Sequence, residues 1–112
     1  KIINENGGDL GETYGVPVEE IVEGIRNGVR KVNIDTDLRM ASTGAIRQFF
    51  NKNRKEFDPR KYLAEATKAM KGICLDRYKA FGAAGNASRI KVVSLEKMTS
   101  RYTKGELNAV VK

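Results

Sequence analysis

The most constraining feature of this 112-residue sequence is a short apolar run that ends in a cluster of polar residues. Over residues 29–35, Val32 and Ile34 alternate with Lys31, Asn33 and Asp35, which is the two-residue period of a β-strand. An apolar face on one side and polar groups at the carboxyl end are typical of the α/β class, in which ligands bind where strands end. We therefore predict a strand over 29–35 in an α/β fold, followed by a binding site.

The residues after this strand suggest which ligand the site binds. Thr36 or Asp37 can cap the helix that follows, and the free N–H groups at a helix start attract anions. The local pattern thus indicates a phosphate or carboxylate site. The plainer alternatives are a helix-capping cluster at residues 35–37 and a structural amide at Asn33. Lys31 and Arg39 flank the cluster, and we interpret each as an ordinary salt-bridge partner, with electrostatic support of the cluster as the alternative.

Helical patterns occupy most of the remaining sequence. They predict a helix end over 1–6 closed by Gly7 and Gly8, a helix opened by Pro17 and ended by Gly28, and a helix over 37–53. They also predict a helix over 59–81, capped by Asp58, opened by Pro59 and ended by Gly82, and a last helix over 95–104 capped by Ser94. Residues 90–93 could form a short extended piece. One strand among helices does not make a self-sufficient sheet, so we expect these residues to be part of a larger protein and not an autonomous fold.

The charge is strongly asymmetric along the chain. Residues 1–46 carry five basic and eight acidic groups, a net charge of −3, whereas residues 47–112 carry sixteen and six, a net charge of +10. A basic half suits nucleic acid, phosphorylated sugars or simply a solvated helix surface. No recognisable nucleic-acid motif is present. No apolar run approaches the ~20 residues that span a membrane, and no signal peptide is visible. The single cysteine cannot form an internal disulfide, so we expect a cytoplasmic protein.

Three motifs, taken together, resemble a known family. Residues 32–39 (Val-Asn-Ile-Asp-Thr-Asp-Leu-Arg), 12–17 (Glu-Thr-Tyr-Gly-Val-Pro) and 57–62 (Phe-Asp-Pro-Arg-Lys-Tyr) are similar to the class II, zinc-dependent fructose-bisphosphate aldolases, in the same order. The likeness is greatest to their Calvin-cycle-type branch. It implies the C-terminal part of a (β/α)₈ TIM barrel, with residues 1–53 as its last βα segment and 54–112 as a C-terminal helical extension.

The resemblance also implies an activity, which is the reversible aldol cleavage of fructose 1,6-bisphosphate to dihydroxyacetone phosphate and glyceraldehyde 3-phosphate. Three alternatives stay open from the sequence. The first is a sister aldolase acting on tagatose bisphosphate, the second is a small basic nucleic-acid-binding module, and the third is a non-catalytic interaction domain. We expect these residues alone to be inactive.

Roles for individual residues follow from the same resemblance. It implies that Asn33 bonds the dihydroxyacetone-phosphate part of the substrate near the reacting carbons, and that Asp35 and Thr36 help cradle its phosphate. It implies that Arg60 reaches the neighbouring subunit's site in a homodimer or homotetramer and binds the second phosphate. The alternative for Arg60 is a solvent-facing side chain in the first turn of a helix.

The implied metal cannot be held by histidines of this chain. The family's zinc is bound by histidines, and this sequence contains none. We therefore expect no metal ligands among these residues, with the zinc ligands outside them, and we leave open a monovalent cation. The single cysteine, Cys74, lies in an apolar helical pattern and is interpreted as a buried thiol.

Overall fold

The computed structural model describes residues 1–13 and 15–106, so Tyr14 of the 12–17 motif lies outside the described residues. Five α-helices follow one another along the described chain: α1 (Ile2–Glu5), α2 (Val18–Arg26), α3 (Thr36–Lys52), α4 (Pro59–Ala80) and α5 (Leu95–Thr103). A single 3₁₀ turn, Ala87–Arg89, separates α4 from α5. Each predicted helix is therefore confirmed, with bounds that differ by no more than the usual one or two residues.

The predicted strand over residues 29–35 is wrong for the described part of the chain, which contains no β-strand. A strand is stabilised by hydrogen bonds to a neighbouring strand, and none of the described residues supplies that neighbour. The segment is instead tied to the end of α2. The Val29 amide donates to the Gly24 carbonyl at 3.0 Å, and the Arg30 guanidinium donates to the Ile25 carbonyl at 2.9 Å. Gly28 makes the reversal possible because its φ of +109° suits only glycine.

Helices α3 and α4 form an antiparallel hairpin, which is the main tertiary contact of the described chain. At one end, Asp37 near the start of α3 pairs with Arg77 near the end of α4. At the other end, the rings of Phe50 and Tyr62 lie with centroids 4.9 Å apart. Ala66 of α4 is 2% exposed and is the only hydrophobic residue that the described chain buries.

Helix α1 packs against α3 at a point where α3 has no side chain. Gly44 is buried, and a Cβ added there would lie 3.2 Å from a methyl carbon of Ile2. The Arg47 guanidinium donates to the Gly7 carbonyl at 2.8 Å and holds the loop after α1 beside α3. Farther along this loop, the Thr13 hydroxyl donates to Met40 Sδ at 3.5 Å, so both ends of residues 7–13 contact α3.

The described chain is elongated. Its radius of gyration is 19.9 Å and its extents are 59 × 33 × 27 Å, whereas a compact domain of this length has a radius of about 13 Å. Many large apolar side chains are exposed, among them Val16, Phe57, Ile90, Val92, Leu95 and Tyr102. The expectation that these residues do not form an autonomous fold is supported by this small core.

Candidate functional site

The polar cluster lines an open depression of about 460 Å³ between α2, residues 29–35 and the start of α3. Three of the predicted site residues, Asn33, Asp35 and Thr36, lie on its surface. The other polar residues that line it are Glu20, Lys31, Asp37 and Arg77. The structure therefore brings together the groups that the sequence predicted to meet at the end of the strand, although the strand itself is not formed.

Asn33 is exposed, and Lys31 fixes the orientation of its amide. The Lys31 ammonium donates to the Asn33 carbonyl oxygen. Lys31 was interpreted as a salt-bridge partner, and that interpretation is wrong because its partner is a neutral amide. An amide whose oxygen is occupied by an ammonium group presents its NH₂ group as the free donor.

The N-cap residue of α3 does not close the helix with its side chain. Asp35 is the N-cap residue by position, but its carboxylate accepts no hydrogen bond from the first turn. Asp35 Oδ1 instead accepts from Arg39 Nε at 2.8 Å, one turn along the helix, and this bond raises the pKa of Arg39. The predicted cap at Thr36 or Asp37 is wrong, since these are the first two helical residues. The interpretation of Arg39 as a salt-bridge partner is confirmed.

Arg77 is a residue of this depression that the sequence did not reveal. Its guanidinium donates to Asp37 Oδ2 at 2.7 Å, and the two side chains are 21% and 39% exposed. Forty positions separate the two residues along the chain. No local pattern signals this contact, because it depends on the relative position of α3 and α4 in the hairpin.

Arg60 lies at the start of α4 and is held by the residue that caps the helix. Asp58 accepts from the Arg60 amide at 3.0 Å, and Pro59 occupies the first helical position, as predicted. The Arg60 guanidinium also donates to both carboxylate oxygens, with Nη2 to Oδ2 at 2.7 Å and Nε to Oδ1 at 3.0 Å. These bonds lower the pKa of Asp58 and raise that of Arg60. The Arg60 side chain is nevertheless 88% exposed.

Arg60 does not line the depression that holds Asn33, Asp35 and Thr36. The depression lies at the start of α3, whereas Arg60 lies beside the end of α3, where the hairpin turns. Since α3 has 17 residues, the two places are roughly 25 Å apart along its axis. Within one chain, the predicted site residues therefore form two separate groups.

No group of three or more His, Cys, Asp or Glu side chains in residues 1–13 and 15–106 is placed to hold a metal ion. The part of the chain that the structure describes thus does not fit a zinc site. No helix in these ranges is long and apolar enough to cross a membrane. Cys74 is a free thiol of intermediate exposure, so its predicted burial is only partial.

Comparison with known proteins identifies the family of this chain. Residues 11–86 match the family described as fructose-bisphosphate aldolase class-II, and the chain belongs to that family. It is 71% identical to a fructose-bisphosphate aldolase of Stutzerimonas stutzeri over 96% of the chain, and 67% identical to that of Pseudomonas aeruginosa over 98%. The chain spans about 30% of the length of these relatives. It is also 57% identical to fructose-bisphosphate aldolase 2 of Rhodobacter capsulatus and covers 93% of that sequence.

Proposed function

We propose that the whole protein catalyses the reversible aldol cleavage of fructose 1,6-bisphosphate to dihydroxyacetone phosphate and glyceraldehyde 3-phosphate. The observation that carries this proposal is the convergence of Asn33, Asp35 and Thr36 on one depression within the residues that match the aldolase family. The names of the relatives, fructose-bisphosphate aldolases, favour the fructose substrate over tagatose bisphosphate. They also favour an enzyme over a nucleic-acid-binding module.

The residues around the depression have distinct proposed roles. Asn33 donates a hydrogen bond from its NH₂ group to the oxygen on which negative charge develops, while its carbonyl oxygen accepts from Lys31. Thr36 and the backbone N–H groups of the first turn of α3 hold the phosphate of the dihydroxyacetone half. A lone carboxylate would repel this phosphate, but the charge of Asp35 is offset by Arg39. The N–H groups are available to an anion because the N-cap residue, Asp35, does not bond them with its carboxylate.

The second phosphate is assigned to Arg60 of a neighbouring subunit. A six-carbon sugar is far too short to bridge the length of α3, which separates Arg60 from the depression of its own chain. A homodimer or homotetramer in which Arg60 of one subunit enters the next subunit's site removes this difficulty. An exposed guanidinium held by one carboxylate is suited to such a contact, since it can exchange Asp58 for a phosphate.

The proposal places these residues in a larger enzyme. Residues 1–53 are the last βα segment of a (β/α)₈ barrel, in which 29–35 gain strand partners, and residues 54–112 are a C-terminal helical extension. Zinc, and any monovalent cation, would be held by residues outside these 112, so no step of the reaction is assigned to a metal here. A cytoplasmic location stays a prediction.

The test of this proposal separates the two halves of the substrate. Arg60→Ala in the full-length enzyme should slow cleavage of fructose 1,6-bisphosphate by roughly 10- to 150-fold, because a charge-assisted phosphate contact is lost. Proton exchange of dihydroxyacetone phosphate should survive nearly intact, since it needs only the other phosphate site. Arg54→Ala is the matched control, because Arg54 is a nearby exposed arginine in the link between α3 and α4.

Hybrid oligomers test the transfer between subunits. Mixing Arg60→Ala subunits with Asn33→Ala subunits should restore part of the cleavage activity, because some sites then combine an intact Asn33 with an intact Arg60 of the neighbour. Equal loss of cleavage and exchange, or no recovery in verified hybrids, would contradict the assignment. Preferential cleavage of tagatose bisphosphate would favour the sister aldolase.

A further inference from the structure

The charges of the depression present a problem for a phosphate. Three carboxylates line it, those of Glu20, Asp35 and Asp37, and two cations, Lys31 and Arg77. Asp35 is paired with Arg39, which lies outside the lining, so the carboxylate of Asp37 is the one at the start of α3 that still needs a partner. Asp37 is the second residue of α3, and it therefore lies within the same turn as the N–H groups that would receive the phosphate. An unpaired carboxylate at this position would oppose the attraction exerted by the helix start.

The Arg77 guanidinium offsets the charge of Asp37 in a partly buried ion pair, where water weakens the attraction less than at the surface. The Asp37–Arg77 side chains are 39% and 21% exposed, compared with 69% and 78% for Asp35 and Arg39. Water screens the Asp37–Arg77 pair less, so removing one member leaves a charge with more effect on its surroundings. Arg77 also connects the start of α3 to the last turn of α4.

Arg77 is poorly placed to be a phosphate ligand itself. Its Nε is buried, with no hydrogen-bond partner among the described residues, and one terminal nitrogen is committed to Asp37. We propose that Arg77 is a positioning residue, which cancels the charge of Asp37 and holds the first turn of α3 so that its N–H groups can bind the phosphate of the substrate. This inference rests on the proposed function.

A double-mutant cycle in the full-length enzyme tests the inference. Arg77→Gln should raise the Kd for dihydroxyacetone phosphate roughly tenfold, because it exposes the phosphate to the charge of Asp37. The further change Asp37→Asn should return the Kd to within about threefold of wild type, since it removes that charge. Arg77→Lys should stay near wild type. Lys79→Gln, an exposed charge loss in the same turn of α4, is the control and should change nothing.

The outcomes separate this inference from the proposed function. An Arg77→Gln protein that binds dihydroxyacetone phosphate like wild type, or a double variant as weak as Arg77→Gln, overturns the role of Arg77. Should Arg77→Gln fail to fold, Asp37→Asn and the double variant decide: Asp37→Asn must bind at least as tightly as wild type, and the double variant within about threefold of it. A wild-type enzyme that binds dihydroxyacetone phosphate but does not cleave fructose 1,6-bisphosphate contradicts the proposed function alone.

Discussion

Asn33 and Lys31 show how two neighbouring side chains can prepare a site before any ligand binds. They are two positions apart, and the ammonium of one occupies the carbonyl oxygen of the other. The amide is then oriented without help from distant elements. A preorganised donor of this kind contributes to the reaction because it does not have to reorient as charge develops.

We expect Asn33→Ala in the full-length enzyme to lower kcat by about 10²–10³. Asn33→Asp should be comparably impaired, because a carboxylate would pair with Lys31 and repel the developing negative charge. The measurement is kcat for cleavage together with zinc content per subunit. Loss of zinc with an unchanged rate per bound zinc would show that Asn33 supports the metal and not the substrate.

At the scale of the elements, the hairpin of α3 and α4 decides which residues meet. It joins Asp37 to Arg77 at one end and leaves Arg60 at the other. The start of α4 is fixed by a short network, in which Asp58 caps the helix and binds Arg60 while Glu56 accepts from Lys61. Hydrogen bonds to Arg60 lower the pKa of Asp58, and the bond to Lys61 lowers that of Glu56.

This network predicts a pH dependence at the start of α4. A carboxylate with a lowered pKa in the folded state stabilises the fold above its ordinary pKa of about 3.9, and the contribution is lost as the pH falls through the lowered value. The amide resonance of Arg60, which reports on the cap, should therefore titrate with a midpoint below that of an ordinary aspartate.

The control for this titration is Asp58→Asn, which keeps a capping oxygen but has no proton to gain. In that variant the Arg60 amide should show no transition over the same range, measured by NMR in the folded protein. A wild-type midpoint at or above about 3.9 would contradict the predicted direction.

At the scale of the whole molecule, the described chain has many amphipathic surfaces and little interior. Ala66 is its only buried hydrophobic residue, while Phe57, Val92 and Leu95 are more than four-fifths exposed. Folding free energy comes mainly from apolar area removed from water, so these helices stabilise one another weakly. The proposed barrel and oligomer would supply the missing contacts.

We therefore expect the 112-residue chain, studied alone, to unfold without a sharp transition. Circular dichroism and calorimetry on heating should show a gradual loss of helix and little excess heat. The full-length enzyme is the control and should unfold cooperatively. A sharp two-state transition of the monomeric chain would contradict this expectation.

Much of the local structure could be predicted from the sequence. Gly28 and Gly82, both with positive φ, mark the ends of helices, and Asp58 and Ser94 cap α4 and α5 as their positions predicted. The grouping of Asn33, Asp35 and Thr36 was also predictable, since these residues are close in sequence. The cap of α3 could not be predicted, because the Asp35 carboxylate can accept either from the N–H groups of the first turn or from Arg39. In the structure it accepts from Arg39.

The sequence by itself determined what depends on neighbouring residues: the helices, most of their ends, the polar cluster and the motifs that place the chain among the class-II aldolases. Only the tertiary structure decided that Arg77 meets Asp37 and that Arg60 lies a helix length from the depression. Helix periodicity and capping act over a few residues, so they can be read along the chain. The position of α4 against α3 depends on side-chain packing between distant residues, and the strand over 29–35 depends on a partner that the described chain does not contain.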